Sequence, residues 1–283
     1  MSIRDDLERD GYCLVRDVFT PGEIARLREL VGAGISRSDR EHPGVPTLTA
    51  TQHIALGDLV AQPELGAFDY VVFNEKLLAV MRELLGPQIV YFGDSSMQSG
   101  VGTRGFHKDS AHRNDPAGSD WASRYDLVRF GLYLQDHDRH SGGLKVRQGS
   151  HRVASDSTGR AVNMPSRAGD LVVWKLTTSH SGNVVRPRVA RGLCLHPGIE
   201  GRLPAFLRAP EQQTRMSLFG TFAAPGLHLE TYLEFIGGRK DFQEHYAHCA
   251  FTDAARTLAA RSGVELRVPM PSFGTRVAAR MPA

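Results

Sequence analysis

The amino-acid sequence predicts an α+β, mainly β fold: an antiparallel sandwich or barrel with α-helices packed against it. Three observations carry this. Helical periodicity is confined to the two ends of the chain. Between them, strand-length runs alternate with Gly, Asp and Ser turn signals. No Pro/Gly/Ser linker, internal repeat or low-complexity tract divides the 283 residues, so one domain over 1–283 is expected, with its β core at about 88–222.

Residues 1–10 read as a short helix stopped by Gly11, followed by a strand at Tyr12–Val18. Thr20-Pro21-Gly22-Glu23 opens a second helix. Thr20 is its N-cap, Pro21 takes the first helical position and Glu23 completes a capping box. Ile24, Leu27, Leu30 and Val31 then recur at helical spacing. Residues 36–65 hold Pro43, Pro46 and Pro63 without a period and read as loops. Phe68–Leu85 reads as an amphipathic helix that Gly86-Pro87 ends. Strands are expected at Ile89–Phe92, Ser96–Ser99, Leu127–Gln135, Gly143–Arg147, Asp170–Lys175, Gly192–Leu195 and Met216–Phe222. Helical character returns at 227–247 and at Thr252–Arg261.

Composition excludes several functions. A net charge of +3 with no polybasic block gives no case for nucleic acid. Cys13, Cys194 and Cys249 are odd in number and lack a C-x-x-C, which argues against a zinc knuckle or disulfide framework and for a reducing compartment. No apolar leader and no 18-residue apolar run occurs, so no membrane partner and a cytoplasmic location are expected.

The chemistry centres on Gly105-Phe106-His107-Lys108-Asp109-Ser110. On an extended strand, His107 and Asp109 point to one face. An imidazole and a carboxylate converging there make two thirds of a 2-His-1-carboxylate facial triad, the site type of non-haem Fe(II) oxygenases. Leu127–Gln135 alternates, with Val128, Phe130, Leu132 and Leu134 on one face and Arg129, Gly131, Tyr133 and Gln135 on the other. That second face suits either a ligand-filled interior or ordinary solvent contact. His151 follows a turn with no acidic neighbour in sequence, which favours a structural hydrogen bond over a metal role. His180 offers a third metal ligand, ahead of an arginine cluster at Arg186, Arg188 and Arg191.

Read together, the order is H-x-D, Leu-Tyr-Leu-Gln-Asp, Ser-Gly-Gly-Leu…Gly-Ser-His-Arg, Gly-Asp-Leu-Val-Val, then His-Ser-Gly-Asn…Pro-Arg. Along with the opening Asp-Gly-Tyr-Cys-Leu-Val-Arg-Asp-Val-Phe-Thr-Pro-Gly-Glu, it resembles the phytanoyl-CoA dioxygenase family of Fe(II)/2-oxoglutarate-dependent oxygenases, from about residue 5 to about 200. The resemblance implies a double-stranded β-helix (jelly-roll) core with flanking α-helices, Fe(II), 2-oxoglutarate as co-substrate and O2. It matches His107, Asp109 and His180 to the metal triad. Related halogenases lack the carboxylate, so Asp109 points to oxidation without halogen transfer. The family also holds the 2-oxoglutarate C5 carboxylate with an arginine after the distal histidine, since a guanidinium grips a carboxylate bidentately. The loop after His180 reads as shortened. Counting from His180 selects Arg191, while the Pro-Arg pair selects Arg188. Parity favours Arg188, which would share a face with Ala190, Gly192 and Cys194, and leaves Arg186 as a surface charge. Gln98, Tyr133 and Ser181 are the accompanying candidates for co-substrate contact.

Lys108–Tyr125 reads either as a surface loop or as a substrate lid. On the second reading Lys108, Trp121, Tyr125 and Arg129 contact a small, polar, hydroxyl-rich metabolite such as a glycoside or antibiotic precursor. Two rivals stand beside the oxygenase: a cupin-like metal-dependent isomerase or epimerase, and a catalytically silent jelly-roll binding protein. Oligomeric state is not legible.

Overall fold

The computed structural model describes residues 2–41, 69–99, 105–182, 184–190, 192–240, 242–243, 250–271 and 273. α1 (Ile3–Asp10) opens with a capping box between Ser2 and Asp5 and stops at Gly11, whose φ of 85° is left-handed. A side chain at Gly11 would also collide with the His151 ring, so both backbone and space require glycine. β1 (Tyr12–Val15) follows. α2 (Pro21–Glu41) starts at the expected box: the Thr20 backbone N–H donates to Glu23 Oε2 at 2.7 Å and the Glu23 N–H to Thr20 Oγ1 at 3.3 Å. It continues through 36–41, part of the expected loop; residues 42–65 lie outside the described residues.

The expected helix over 68–85 is two in the described part, α3 (Asp69–Val72) and α4 (Glu75–Leu85), because Asn74 leaves helical geometry to cap α4 through the Lys76 N–H. The two expected strands at 89–92 and 96–99 are one, β2 (Ile89–Ser99), kinked where the register shifts between Tyr91 and Ser95 and Gly93 takes a positive φ. β3 (Leu127–Tyr133), β4 (Leu144–Gln148), β6 (Leu171–Lys175) and β8 (Met216–Ala223) fall where expected. Three short strands escaped the sequence pattern: β5 (Arg160–Asn163), β7 (His180–Gly182) and β9 (Val264–Leu266). Gly192–Leu195 forms no strand among its described residues. α5 (Pro197–Glu200), α6 (Leu227–Gly237) and α7 (Asp253–Arg261, capped by Thr252) complete the described helices. No described helix is long and apolar enough to cross a membrane.

The strands form a six-stranded sheet, β1-β6-β3-β8-β2-β9, and a three-stranded sheet, β5-β4-β7. An antiparallel bridge between His107 and His180 adds the H-x-D segment to the edge of the smaller sheet. The alternation in β3 decides the layers. Val128, Phe130 and Leu132 enter the main core with residues of α1, α2, α4, α6 and α7. Tyr133 belongs to a second cluster with Val172, Trp174 and Phe219 of the large sheet and Leu144, Val146 and Met164 beneath them. Helices therefore cover one face of the large sheet and the small sheet covers the other. The inter-sheet space, entered by Arg129, Gly131 and Tyr133, holds the site.

Candidate metal centre

The small sheet places the first two histidines directly. His107 and His180 exchange backbone hydrogen bonds at 3.0 and 2.9 Å, so their side chains leave the same face and the rings lie 4.4 Å apart. The chain then turns: the Asp109 and Ser110 N–H groups both donate to Leu176 O. Lys108 braces this turn, its ammonium donating to Ser150 O and Thr177 O, each at 2.6 Å. Asp109 returns to the two imidazoles, with Oδ1 3.7 Å from His107 Nε2 and Oδ2 3.5 Å from His180 Nε2.

One ligand atom from each of His107, Asp109 and His180 lies within 4.8 Å of the others, a spacing that admits a single ion. The donor set fits a divalent transition metal. His107 Nδ1 sits 2.9 Å from Gly105 O, and His180 Nδ1 3.1 Å from Thr178 O. Each Nδ1–H donates to a carbonyl and leaves Nε2 as a lone-pair donor toward the gap. Burial, and then neighbouring His107, push the His180 pKa down to about 3, so it stays a neutral ligand.

Of the four residues expected to touch substrate, Lys108 and Tyr125 are buried and those two assignments are corrected, while Trp121 and Arg129 are half-buried and hold contacts of their own. Lys108 is 2% exposed, its ammonium used by the two carbonyls. Tyr125 is buried with its ring 4.8 Å from His228. Trp121 is tied into its own loop by an Nε1–H bond to Asp115 O. Arg129 donates to the metal-site carboxylate Asp109 and to Asp94. A polar residue beside a motif reads as exposed in sequence; here backbone carbonyls and carboxylates bury it.

The arginine choice is also corrected. The segment after His180 is long: its described residues, 184–190 and 192–214, run over the outer face of the small sheet before β8 begins. There Lys145, on the face opposite Leu144 and Val146, forms a fully buried ion pair with Glu200 and donates to Leu195 O. Arg188 is exposed on this excursion and Arg191 lies outside the described residues. Parity fails because the described residues 188–190 and 192–195 form no strand. Arg186, expected at the surface, is buried and donates to Met164 O. Ser181 is buried but alternates with His180 and so faces away from the inter-sheet space, across from Lys145.

The structure gathers Gln98 and Tyr133 around a residue the sequence reading missed. Arg215, just before β8, is 5% exposed. Its Nε donates to Gly142 O at 2.8 Å, its Nη1 to Gln98 Oε1 at 3.3 Å, and its guanidinium lies 5.7 Å from the Tyr133 ring. It forms no ion pair among the described residues. Burial lowers its pKa, with only partial compensation from Tyr133 and Glu211. Ser217 stands opposite both Tyr133 and Gln98 in the sheet. Among the described residues, the hydroxyls of Tyr133 and Ser217 and the indole N–H of Trp174 are buried without hydrogen-bond partners. Trp174 in turn lies 5.3 Å from the His180 ring. Unpaired polar atoms thus lead from a buried cation to the metal ligands, a cradle shaped for an acidic ligand. The signal was the alternation Arg215, Ser217, Phe219, Thr221 at the head of an otherwise apolar strand.

Two facing sheets, with a 2-His-1-carboxylate group and a buried arginine between them, define a non-haem metal enzyme of the type that binds an acidic co-substrate. The comparisons agree. The phytanoyl-CoA dioxygenase (PhyH) family matches residues 7–192, and the chain belongs to that family. Comparison with curated protein sequences gives no match. Among solved structures, EctD from S. alaskensis, determined with 2-oxoglutarate and 5-hydroxyectoine, superposes with a TM-score of 0.53 at 17% identity, covering 79% of this chain and 76% of that one. HygX from Streptomyces hygroscopicus, with nickel and 2-oxoglutarate bound, gives 0.53 at 14%, covering 79% and 88%. SnoN, an α-ketoglutarate-dependent epimerase from nogalamycin biosynthesis, gives 0.51 at 17%, covering 78% and 79%.

Proposed function

We propose that this protein is a single-domain Fe(II)/2-oxoglutarate-dependent dioxygenase on a double-stranded β-helix, oxidising a small polar metabolite by hydroxylation or oxidative ring closure. The observation that carries it is the line from the His107–Asp109–His180 group, through buried polar atoms without partners, to Arg215, which has no carboxylate partner among the described residues. His107, Asp109 and His180 would hold iron on one face. The bound iron supplies oxygen activation coupled to decarboxylation of 2-oxoglutarate. Arg215, with Gln98, Tyr133 and Ser217, binds the distal carboxylate and fixes which end of the co-substrate faces the metal. Trp174 and Phe219, 6.2 Å apart, exclude water from the space between. The co-substrate slot disfavours a cupin-like isomerase that needs no such acid, and the complete ligand set disfavours a silent binding protein.

A polar substrate is supported by the inner face of β2, where Ser96 is half-exposed. Likeness to enzymes of antibiotic biosynthesis, SnoN among them, supports a glycoside or antibiotic precursor. The test is conversion of 2-oxoglutarate to succinate by purified protein with Fe(II) and ascorbate, scored against Asp109→Ala. Wild-type turnover that disappears in the variant supports the reading. No succinate from wild type, with or without candidate glycosides, rejects it.

A further inference from the structure

Arg129 is a part-buried cation that the proposed chemistry does not use. Its guanidinium is held on three sides. Nε donates to Thr221 Oγ1 at 3.1 Å, Nη2 to Asp94 Oδ2 at 2.5 Å, and Nη1 to Asp109 Oδ2 at 3.0 Å. Asp94 Oδ2 also accepts from Thr221 Oγ1 at 2.8 Å and from Tyr232 Oη at 3.1 Å. Residues of β2, β3, β8 and α6 therefore aim one N–H at a candidate metal ligand. We propose that Arg129 and Asp94 are positioning residues for the metal centre: Arg129 fixes the rotation of the Asp109 carboxylate, and Asp94 neutralises Arg129 so that a cation can stand beside a divalent ion. The proposal rests on the metal-centre reading above.

Charge decides why two residues are needed. A guanidinium alone near a divalent ion in a poorly solvated space repels it strongly. A carboxylate on its far side cancels that repulsion and leaves the directional hydrogen bond. Asp94, Arg129 and Asp109 alone sum to one negative charge, so this group of side chains favours a cation beside Asp109. An arginine meant for substrate would keep its N–H groups free. This one has spent three directions on fixed partners, as outer partners of metal ligands do.

The order of affinities in a double-variant cycle tests this. Mn(II) serves as a redox-silent probe in titration calorimetry of the purified chain. Arg129→Met should weaken Mn(II) binding by about ten- to a hundredfold, the usual loss when an outer partner is removed. Asp94→Asn, which leaves the arginine charge uncancelled, should weaken it at least as much. The double variant, which removes the charge as well, should bind more tightly than Asp94→Asn alone. A merely structural ion pair predicts no such recovery. Arg129→Lys keeps the charge but cannot span both carboxylates, and should fall between wild type and Arg129→Met; it is the readout if the methionine variant does not fold. Affinities of both single variants within about twofold of wild type, or losses that simply add, overturn the proposal. Wild-type protein that takes up no Mn(II) overturns the metal-centre reading and this proposal with it, whereas Mn(II) binding indifferent to Arg129 overturns this proposal alone.

Discussion

Arg129 and Arg215 enter the same inter-sheet space from opposite ends, and they differ in one respect that organises the site. Arg129 lies between Asp94 and Asp109. Burial works against its charge, but the two carboxylates overcome it and raise its pKa. Arg215 meets a carbonyl, an amide oxygen and a ring face, and burial lowers its pKa. A buried cation already satisfied by carboxylates is framework. A buried cation satisfied only by neutral groups has room for an anion that the chain does not supply. The difference supports the proposed reading of the two ends, with metal beside Arg129 and co-substrate carboxylate beside Arg215.

The comparison breaks most visibly at Arg215. Arg215→Ala should raise the 2-oxoglutarate requirement by about 3–5 kcal/mol, the scale of losing one partner of a buried pair, with Mn(II) affinity unchanged. Titration of decarboxylation and of Mn(II) on the same variant checks both halves, and a co-substrate requirement equal to wild type would return the role to another arginine. Next in size is a thermal effect. Succinate at a hundred times its Kd should stabilise wild type by about 2.7 kcal/mol and leave Arg215→Ala unshifted, as differential scanning calorimetry would show.

A third test concerns pH. His137, near Arg215, donates from Nδ1 to Ser141 O and accepts at Nε2 from the Gln135 amide. Burial first, then Arg215, push its pKa down to about 3. Between that value and the unfolded value of about 6.5 the unfolded chain takes up a proton that the folded chain refuses. Stability is full above pH 6.5 and falls as pH drops through this window, by about 2 kcal/mol from this residue at pH 5. Urea unfolding at pH 7 and pH 5 should show the loss, and His137→Gln should flatten it. Smaller again, Ser217→Ala or Tyr133→Phe should each weaken co-substrate binding by about 1 kcal/mol, one net hydrogen bond. Smallest, Arg188→Ala should change co-substrate binding and stability by no more than about 0.5 kcal/mol, as at other exposed positions.

What was legible follows from how local each signal is. His107 and Asp109 are two residues apart, so their spacing paired them in the sequence, although a turn braced by Lys108, not a continuous strand, brings Asp109 back to the imidazoles. His180 came from the order of motifs, and the alternation at 127–135 revealed which side of β3 faces the interior. Thr20 announced its helix because capping is chemistry between near neighbours. Arg215 was not legible by counting from His180, because the chain leaves for residues 183–214 and spatial adjacency survives while sequence spacing does not. Lys108 was misread for a related reason: the carbonyls that bury it belong to residues 150 and 177, and nothing near position 108 predicts them. β7 is only three residues long, and its pairing with β4, not its own pattern, makes it a strand.

The excursion carries a consequence of its own. Pro187 and Arg208 meet in an antiparallel bridge, with the Arg188 N–H on Leu207 O and the Ala209 N–H on Arg186 O. The stretch between them is a closed cassette whose two mouths are already fastened together. Doubling the length of a flexible loop adds only about 0.6 kcal/mol of closure entropy, so chain added inside the bridge, away from the Leu195 and Glu200 contacts that hold the Lys145 ammonium, is thermodynamically cheap. Its ends leave His180 and Arg215 where the sheets put them. A chain with a few flexible residues inserted between the exposed Val189 and Ala190 should therefore keep its metal and co-substrate affinities, and length variation can accumulate there at little cost to the reaction chemistry.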